Sequence, residues 1–564
     1  MRKTIILILA TICILTSSVF GVGCGGNVNT DPNTLVVKIY QGGHGTKYIE
    51  NVIEKFNTLY EGQYKVINAM PSTELVGNTV YKLIDQGTNA DVMTGSTVTA
   101  SEAQGLAGFG ECFTDITESV LNQKAIKFDG TEEEETILEK LNKLPIDYDE
   151  KKIGDKWYAI PYVNGVGGLA INTKVLNKFT SQLPRTTNEL FADAELILAQ
   201  AAGSKYNPKP FTYATTGNNY CYPAILNWLA QLGGVDYYRE FMSFTKDGVD
   251  LTLEQCAEQF HDNPILESVM ELFVQLYDYN LQTANVRSQT FENSQAQLMQ
   301  GKCAFYFVGD WMYNEESVRN AKYLDDITFI NTPVASKLGV QTFGSDTKYN
   351  FNDNKCEEIL CKIIDGVDQN KEFTAIKADA DEVAGVQLDE SDVQRIVEAR
   401  GCTQDRSGAG VFINAKSEKK ELAALFLRFM CSTECGEMIA SDIHCSSPYA
   451  MGSLKEHESR WIKSSSSLIS NRYNIPLGSQ ITGNRREIRS LTIFPGMGEI
   501  PVVTLTDENI NDGHNPKGPV TIYNDTTYEK EKTMQVYVDR AKYFMDINYQ
   551  DALNCINIKK WVRK

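Results

Sequence analysis

Apolar and polar positions near the start of the chain fall into two periods. Residues 35–40, Leu-Val-Val-Lys-Ile-Tyr, are almost continuously apolar and read as a buried strand. Residues 48–60 place Ile49, Val52, Ile53, Phe56 and Tyr60 on one helical face. A second strand is expected at 65–69. Leu75, Val76, Thr79, Val80, Leu83 and Ile84 mark a second helix, and 90–93 a third strand. Strand, helix, strand, helix, strand with short connections predicts a parallel sheet covered on both faces, hence an α/β fold. Ligands of such sheets lie beyond the carboxyl ends of the strands. That places the turn 41–45 and the loop 94–97 at a site, with Gln41 and Ser96 as candidate ligand contacts. Farther on, residues 422–440 read as a pair of helices with apolar faces.

The turn Gln41-Gly42-Gly43-His44-Gly45 is not a nucleotide fingerprint. Tyr48 stands where the last glycine would be needed, and no G-K-[ST] triplet follows. The glycines allow backbone N–H groups to approach a polar ligand, or simply make a tight turn.

At the amino terminus Arg2 and Lys3 precede the apolar run 4–15 and then small residues ending Gly21-Val22-Gly23-Cys24. The pattern is that of an export signal, and the run is short for a membrane span. Gly23-Cys24 resembles the lipobox of bacterial lipoproteins, which implies lipidation of Cys24 and a surface protein on the outer face of the cytoplasmic membrane. Gly21 departs from the leucine-like residue usual there, and an ordinary signal peptide cut nearby is the alternative. Loss of residues 1–23 removes Arg2 and Lys3 but no acid, leaving 52 basic against 73 acidic side chains. So acidic a surface argues against nucleic-acid partners.

Of the 13 cysteines, Cys13 leaves with the signal. The rest show no C-x-x-C pair, so disulfide connectivity is unreadable and zinc-ribbon spacing is missing. Cys431, Cys435, His444 and Cys445 come nearest to a metal cluster, but buried packing is the favoured reading, and no metal or cofactor is expected.

Six motifs then follow in order. They are Ile153-Gly154-Asp155-Lys156-Trp157-Tyr158-Ala159-Ile160-Pro161-Tyr162 leading to Gly168-Leu169-Ala170-Ile171-Asn172-Thr173-Lys174; Leu183-Pro184-Arg185-Thr186-Thr187-Asn188-Glu189-Leu190; Trp228-Leu229-Ala230-Gln231-Leu232-Gly233-Gly234; Met299-Gln300-Gly301-Lys302-Cys303 running to Gly309-Asp310-Trp311; Gly408-Ala409-Gly410-Val411-Phe412-Ile413-Asn414; and Ser417-Glu418-Lys419-Lys420-Glu421-Leu422. Thr186 and Glu189 are expected to form a capping box for a helix to Ala202. The ordered series resembles the extracellular solute-binding proteins of bacterial ABC importers, family 1, the group of maltose- and oligosaccharide-binding proteins. The resemblance covers about residues 35–340 and 405–450.

It implies a periplasmic-binding-protein-like fold of two α/β lobes with a hinge and an interlobe cleft. The expected division is a signal at 1–23, a lipid-anchored linker at 24–34, a first lobe at 35–145 plus 310–404, a second at 146–309 plus 405–480, and an extension at 481–564. Passages between lobes are expected near 144–153, 308–311 and 406–411. The charged stretch 341–404 reads as an insertion. Its acids from Asp379 to Glu390 echo a calcium loop only weakly, because Val383 takes a ligand position and Gly385 falls one place late.

The resemblance implies a monomer that captures a small solute, a carbohydrate, and delivers it to ABC permease subunits. Sugars offer apolar C–H faces to rings and hydroxyl edges to amides and carboxylates. Candidate contacts are Tyr162, Tyr220, Tyr222, Asp310 and Trp311, with Trp157 and Trp228 assigned to the core. Two rivals remain. One is a lipid-anchored glycan-active enzyme, for which neither G-x-S-x-G nor H-E-x-x-H is present. The other is a surface adhesin or scaffold.

Overall fold

The computed structural model describes residues 31–450 and 474–476, apart from 73–74, 76–77, 96–110, 145, 147, 149–150, 154, 204–206, 215–221, 244, 253–254, 256–262, 277–280, 284–288 and 406–408. Cys24, Ser96, Tyr220 and the stretch 481–564 lie outside the described residues.

The chain opens as its periodicity predicts. Strand β1 (Thr34–Tyr40) pairs in parallel with β2 (Lys65–Ser72) and β3 (Val92–Gly95). Helices α1 (Lys47–Leu59) and α2 (Asn78–Asp85) make the crossovers. Val36 and Val37 are both buried, as expected of a strand covered on two faces. Strand β4 (Ile160–Pro161) lies at the far edge of this five-stranded sheet.

Residues 162–165 then lead into a second sheet. Its centre is β5 (Val166–Asn172), buried throughout. Around it lie β6 (Lys209–Phe211), β7 (Cys303–Gly309), β8 (Ile327–Ile330) and β9 (Thr403–Asp405). Strand β7 runs antiparallel along one edge of β5, with Phe305 opposite Ile171. On the other edge β8 takes the carboxyl end and β9 the amino end. After β9 the chain returns to the first sheet. Strand β10 (Gly410–Ile413) sits between β3 and β4 in the first sheet. Strand β11 (Asn474–Pro476) pairs with β9.

These pairings exchange two expected assignments. The expected division puts residues 310–404 in the first lobe and 405–480 in the second. Instead β8 and β9 are ladder partners of β5 in the second sheet, whereas β10 is inserted in the first. The helices follow their strands. On α1, Phe56 meets Phe426 and Phe429 edge-on at 5.3 and 5.5 Å. Those rings belong to α10 (Lys420–Met430), and Asn51 donates to Asp442 of α11 (Thr433–Ile443) at 2.7 Å. Residues 144–153 are not a passage either, because β4 after them is still in the first sheet.

The second lobe is filled by α3 (Thr187–Ala201) and α4 (Tyr222–Gly233). The segment read as an insertion forms α7 (Asp353–Asp368), α8 (Phe373–Ala384) and α9 (Glu390–Gly401), after α5 (Phe291–Met299) and α6 (Met312–Arg319). Ile359, Ile363, Ile376, Val393 and Ile396 on these helices join the core that holds Leu190 and Trp228. The acids at 379 and 381 are helical residues paired with Lys371 and Lys377, each at 2.7 Å. The expected capping box is half made. Thr186 accepts the Glu189 N–H at 3.3 Å, but the Glu189 carboxylate accepts the Arg185 N–H at 2.8 Å instead of that of Thr186. Arg185 draws the acid because a charged pair outweighs a neutral bond.

Cys431 and Cys435 are buried where α10 meets α11, and burial pushes both thiols up to about 12. Among the described residues no cluster of His, Cys, Asp and Glu has metal-holding geometry, and no helix is long and apolar enough to cross a membrane.

Candidate functional site

Three backbone segments meet where the two sheets join. The first is the turn after β1. Gly45 adopts φ +66° and donates its N–H to the Gly42 carbonyl at 2.9 Å, a conformation that suits glycine. The turn brings His44 edge-on to Tyr162, 6.4 Å between rings. Burial lowers the His44 imidazole to about 4, so it is neutral at physiological pH. Its Nε2 is shielded from water and has no hydrogen-bond partner.

The second segment is the passage 162–165. Tyr162 is 1% exposed and stacks on Tyr48 at 4.9 Å, 9° from parallel. Asn164 donates its backbone N–H to Ser446 at 2.8 Å and accepts the Tyr148 hydroxyl at 3.0 Å. Its Nδ2 is buried without a partner. Buried polar atoms are normally paired, so unpaired ones at a junction between lobes invite a ligand or water.

The third is the end of β7. Asp310 is fully buried; its N–H donates to the Val166 carbonyl at 3.0 Å and its Oδ1 accepts the Val166 N–H at 3.1 Å. This two-way clasp fixes the start of β5. The Trp311 indole covers Gly309, where any Cβ would overlap the ring. It also borders Gly43, whose Cβ would stand 3.3 Å from the indole and 2.5 Å from a carboxylate oxygen of Glu315. Asn314 donates to the Gly43 carbonyl at 2.6 Å. Burial lifts the Glu315 carboxyl to about 7, against the pull of the Gln295 amide and of Arg319.

Tyr162 and Trp311 are therefore brought against the turn that Gln41 opens, with Asp310 next to Trp311 in the chain. Gln41 is exposed at the head of the turn, whereas Asp310 is committed to β5. Tyr222 opens α4, away from these segments in the chain, and nothing is described of its side chain. Thr94, in the second expected loop, accepts the Tyr40 N–H at 2.7 Å and so ties β3 to β1. Sequence reasoning missed His44, Asn164 and Glu315. Glu315 had a signal, since it lies one helical turn beyond Trp311 and shares its face.

The junction offers rings, amides, backbone carbonyls and the buried carboxyl of Glu315 beside the committed Asp310, a set suited to a neutral polar solute with apolar faces. Two α/β lobes, joined by passages at the strand ends and meeting at such a junction, define a receptor of the periplasmic-binding type. The sequence profile of the bacterial extracellular solute-binding proteins matches residues 51–354, more than half of the chain, and the protein belongs to that family. Its members are binding proteins that work outside the cytoplasm. Solved structures share the fold. A chitin oligosaccharide binding protein is 14% identical with a TM-score of 0.53, over 90% of this chain and 99% of its own. The apo-form of RafE from Streptococcus pneumoniae is 11% identical with a TM-score of 0.54, over 91% and 98%. The Thermus thermophilus maltotriose binding protein bound with maltotriose is 13% identical with a TM-score of 0.50, over 90% and 99%. No curated protein sequence matches this one.

Proposed function

We propose that this protein captures a carbohydrate, an oligosaccharide, between its lobes and passes it unchanged to the permease subunits of an ABC importer. The observation that carries the reading is the junction, where Trp311 and Tyr162 stand with His44, Asn164 and Gln41 at the strand ends of both sheets. Rings take sugar faces and unpaired amide and imidazole atoms take hydroxyls. Kinship of fold with the chitin oligosaccharide and maltotriose binding proteins makes oligosaccharides the first class to try. In this reading residues 1–23 are removed, Cys24 carries the lipid, 24–34 is the tether, and the receptor acts as a monomer on the outer face of the membrane. Several acyl chains, at about 0.8 kcal/mol per buried CH₂, hold such a tether where one chain would not.

The test is calorimetry and thermal shift on the mature chain with chitin oligosaccharides, maltotriose, raffinose and xylo-oligosaccharides. At least one should bind, raise the melting temperature by mass action and be recovered intact. Binding of none of them, or a cleavage product that disappears when a single Asp or Glu is changed, would overturn the proposal. Cys24→Ala should release the protein to the medium or block its processing.

A further inference from the structure

By chain order α6 belongs to the second lobe, since β7 before it and β8 after it both pair with β5. Yet its first turns rest on the first lobe. Asn314 donates to the Gly43 carbonyl at 2.6 Å, and Tyr313 lies on His444 with 4.3 Å between rings. Between these contacts Glu315 is shut against the turn 41–45. Its two oxygens have different surroundings. Oε2 accepts the Gln295 amide of α5 at 2.6 Å, and Arg319 donates to the other end of that amide at 2.8 Å. Oε1 faces the other lobe, 2.5 Å from where a Cβ on Gly43 would stand. One carboxyl thus has one oxygen held by its own lobe and the other covered by the opposite lobe.

We propose that Glu315 is a positioning residue that links closure of the lobes to proton uptake: the turn 41–45 shuts over Glu315 in its neutral form, so acidity favours the closed receptor and rising pH favours the open one. The inference rests on the two-lobed receptor proposed above, with solute held between lobes that open and shut, and it assigns the side chain that sets the balance between the two forms.

Closure takes water from Oε1 without supplying a cation, which penalises the charged form. The groups facing Glu315 do not offset this. From α5 come Gln295 and the like charge of Glu292. From α6 come Glu316 and Arg319, and Arg319 is itself paired with Glu316 at 2.9 Å. From the turn comes only the uncharged Gly43, and beyond α11 comes the Cys445 thiol, which burial keeps protonated. With the turn 41–45 against it, burial pushes the carboxyl up to about 7. Exposed in the open form it would return towards the ordinary value of about 4.3. The closed form therefore has the raised value, and closing binds a proton between those two pH values. The closed form is most favoured below that window, loses ground through it, and levels off above about pH 7. Burial by α5 persists in the open form, so the closed-to-open ratio should fall by about ten- to a hundredfold rather than by the full spread.

The proton itself is the probe, so no solute is needed. Small-angle scattering of the mature chain at pH 5 and pH 8 reports the closed fraction, with circular dichroism to check folding. The wild-type protein should have the smaller radius of gyration at pH 5. Glu315→Gln, neutral at every pH, should stay compact at both. Asn314→Ala should be more open at each pH yet keep the pH response. An unchanged wild-type radius, or a Glu315→Gln protein that opens with pH as the wild type does, overturns the proposal. Neither result bears on carbohydrate binding, which calorimetry tests separately.

Discussion

Trp228 and Trp311 stand in two regions built on different terms. Trp228 is fully buried inside the second lobe; its indole N–H donates to the Pro333 carbonyl at 3.0 Å and its ring meets Phe307 edge-on at 5.8 Å. Everything it touches there moves with it. Trp311 is 6% exposed, nearly as enclosed, but it lies against Gly309 and Gly43, and Gly43 belongs to the other lobe. Similar burial thus has two meanings. A ring enclosed within one rigid body holds the fold, whereas a ring enclosed by two bodies registers how they are placed. A glycine on the facing lobe lets the ring meet backbone there, with no side chain of Gly43 to lock against it.

The largest effect should fall on the first region. Trp228→Ala should lower the free energy of unfolding by about 3–5 kcal/mol, through a cavity its surroundings cannot fill, as urea denaturation would record. Asp310→Ala comes next. It strands the buried Val166 N–H and should cost about 1–3 kcal/mol in the same assay, and Asp310→Asn should restore much of that because an amide oxygen still accepts. Trp311→Ala should cost less stability than Trp228→Ala and weaken binding of a confirmed sugar by about 1–2 kcal/mol in calorimetry. If Trp311→Ala unfolds the protein and Trp228→Ala alone abolishes binding, the contrast between the two regions is reversed. Val318→Ser marks the floor. That side chain is 87% exposed on α6, and the change should stay within about 0.5 kcal/mol in stability and leave the pH response of α6 intact.

Local periodicity carried the first five elements, because a buried strand and an amphipathic helix each show their period within a dozen residues. It could not carry the assignment of β9 and β10. These strands are separated by four residues and lie in different sheets, and their partners, β5 and β3, are far off in the chain. The segment 341–404 was misread for another reason. Its apolar residues, such as Ile359 and Ile363, are spaced for one helix face among many acids, and overall charge hid them. At the site, aromatic residues beside glycine and proline were legible as motifs. Asp310 was readable as an acid but not as a strand clasp, since only the fold sets Val166 beside it. Glu315 shares a helix face with Trp311, a local signal that it could join the site, but only the fold shows that the turn 41–45 of the other lobe covers it.

The late return of the chain also sets an order of assembly. Asn414, next to β10, donates to the Ala90 carbonyl across 324 residues at 2.9 Å. Until that segment is available β3 keeps a bare edge, of the kind that recruits stray strands. Closing so long a loop is entropically slow, although length beyond a point adds little. The second lobe can pair β5 with β7 and β8 well before that. The lobe begun first is thus completed last. A chain leaving the cell amino end first would carry a half-built sheet until its later half has followed, which makes timely export of residues 410–443 a condition for avoiding aggregation.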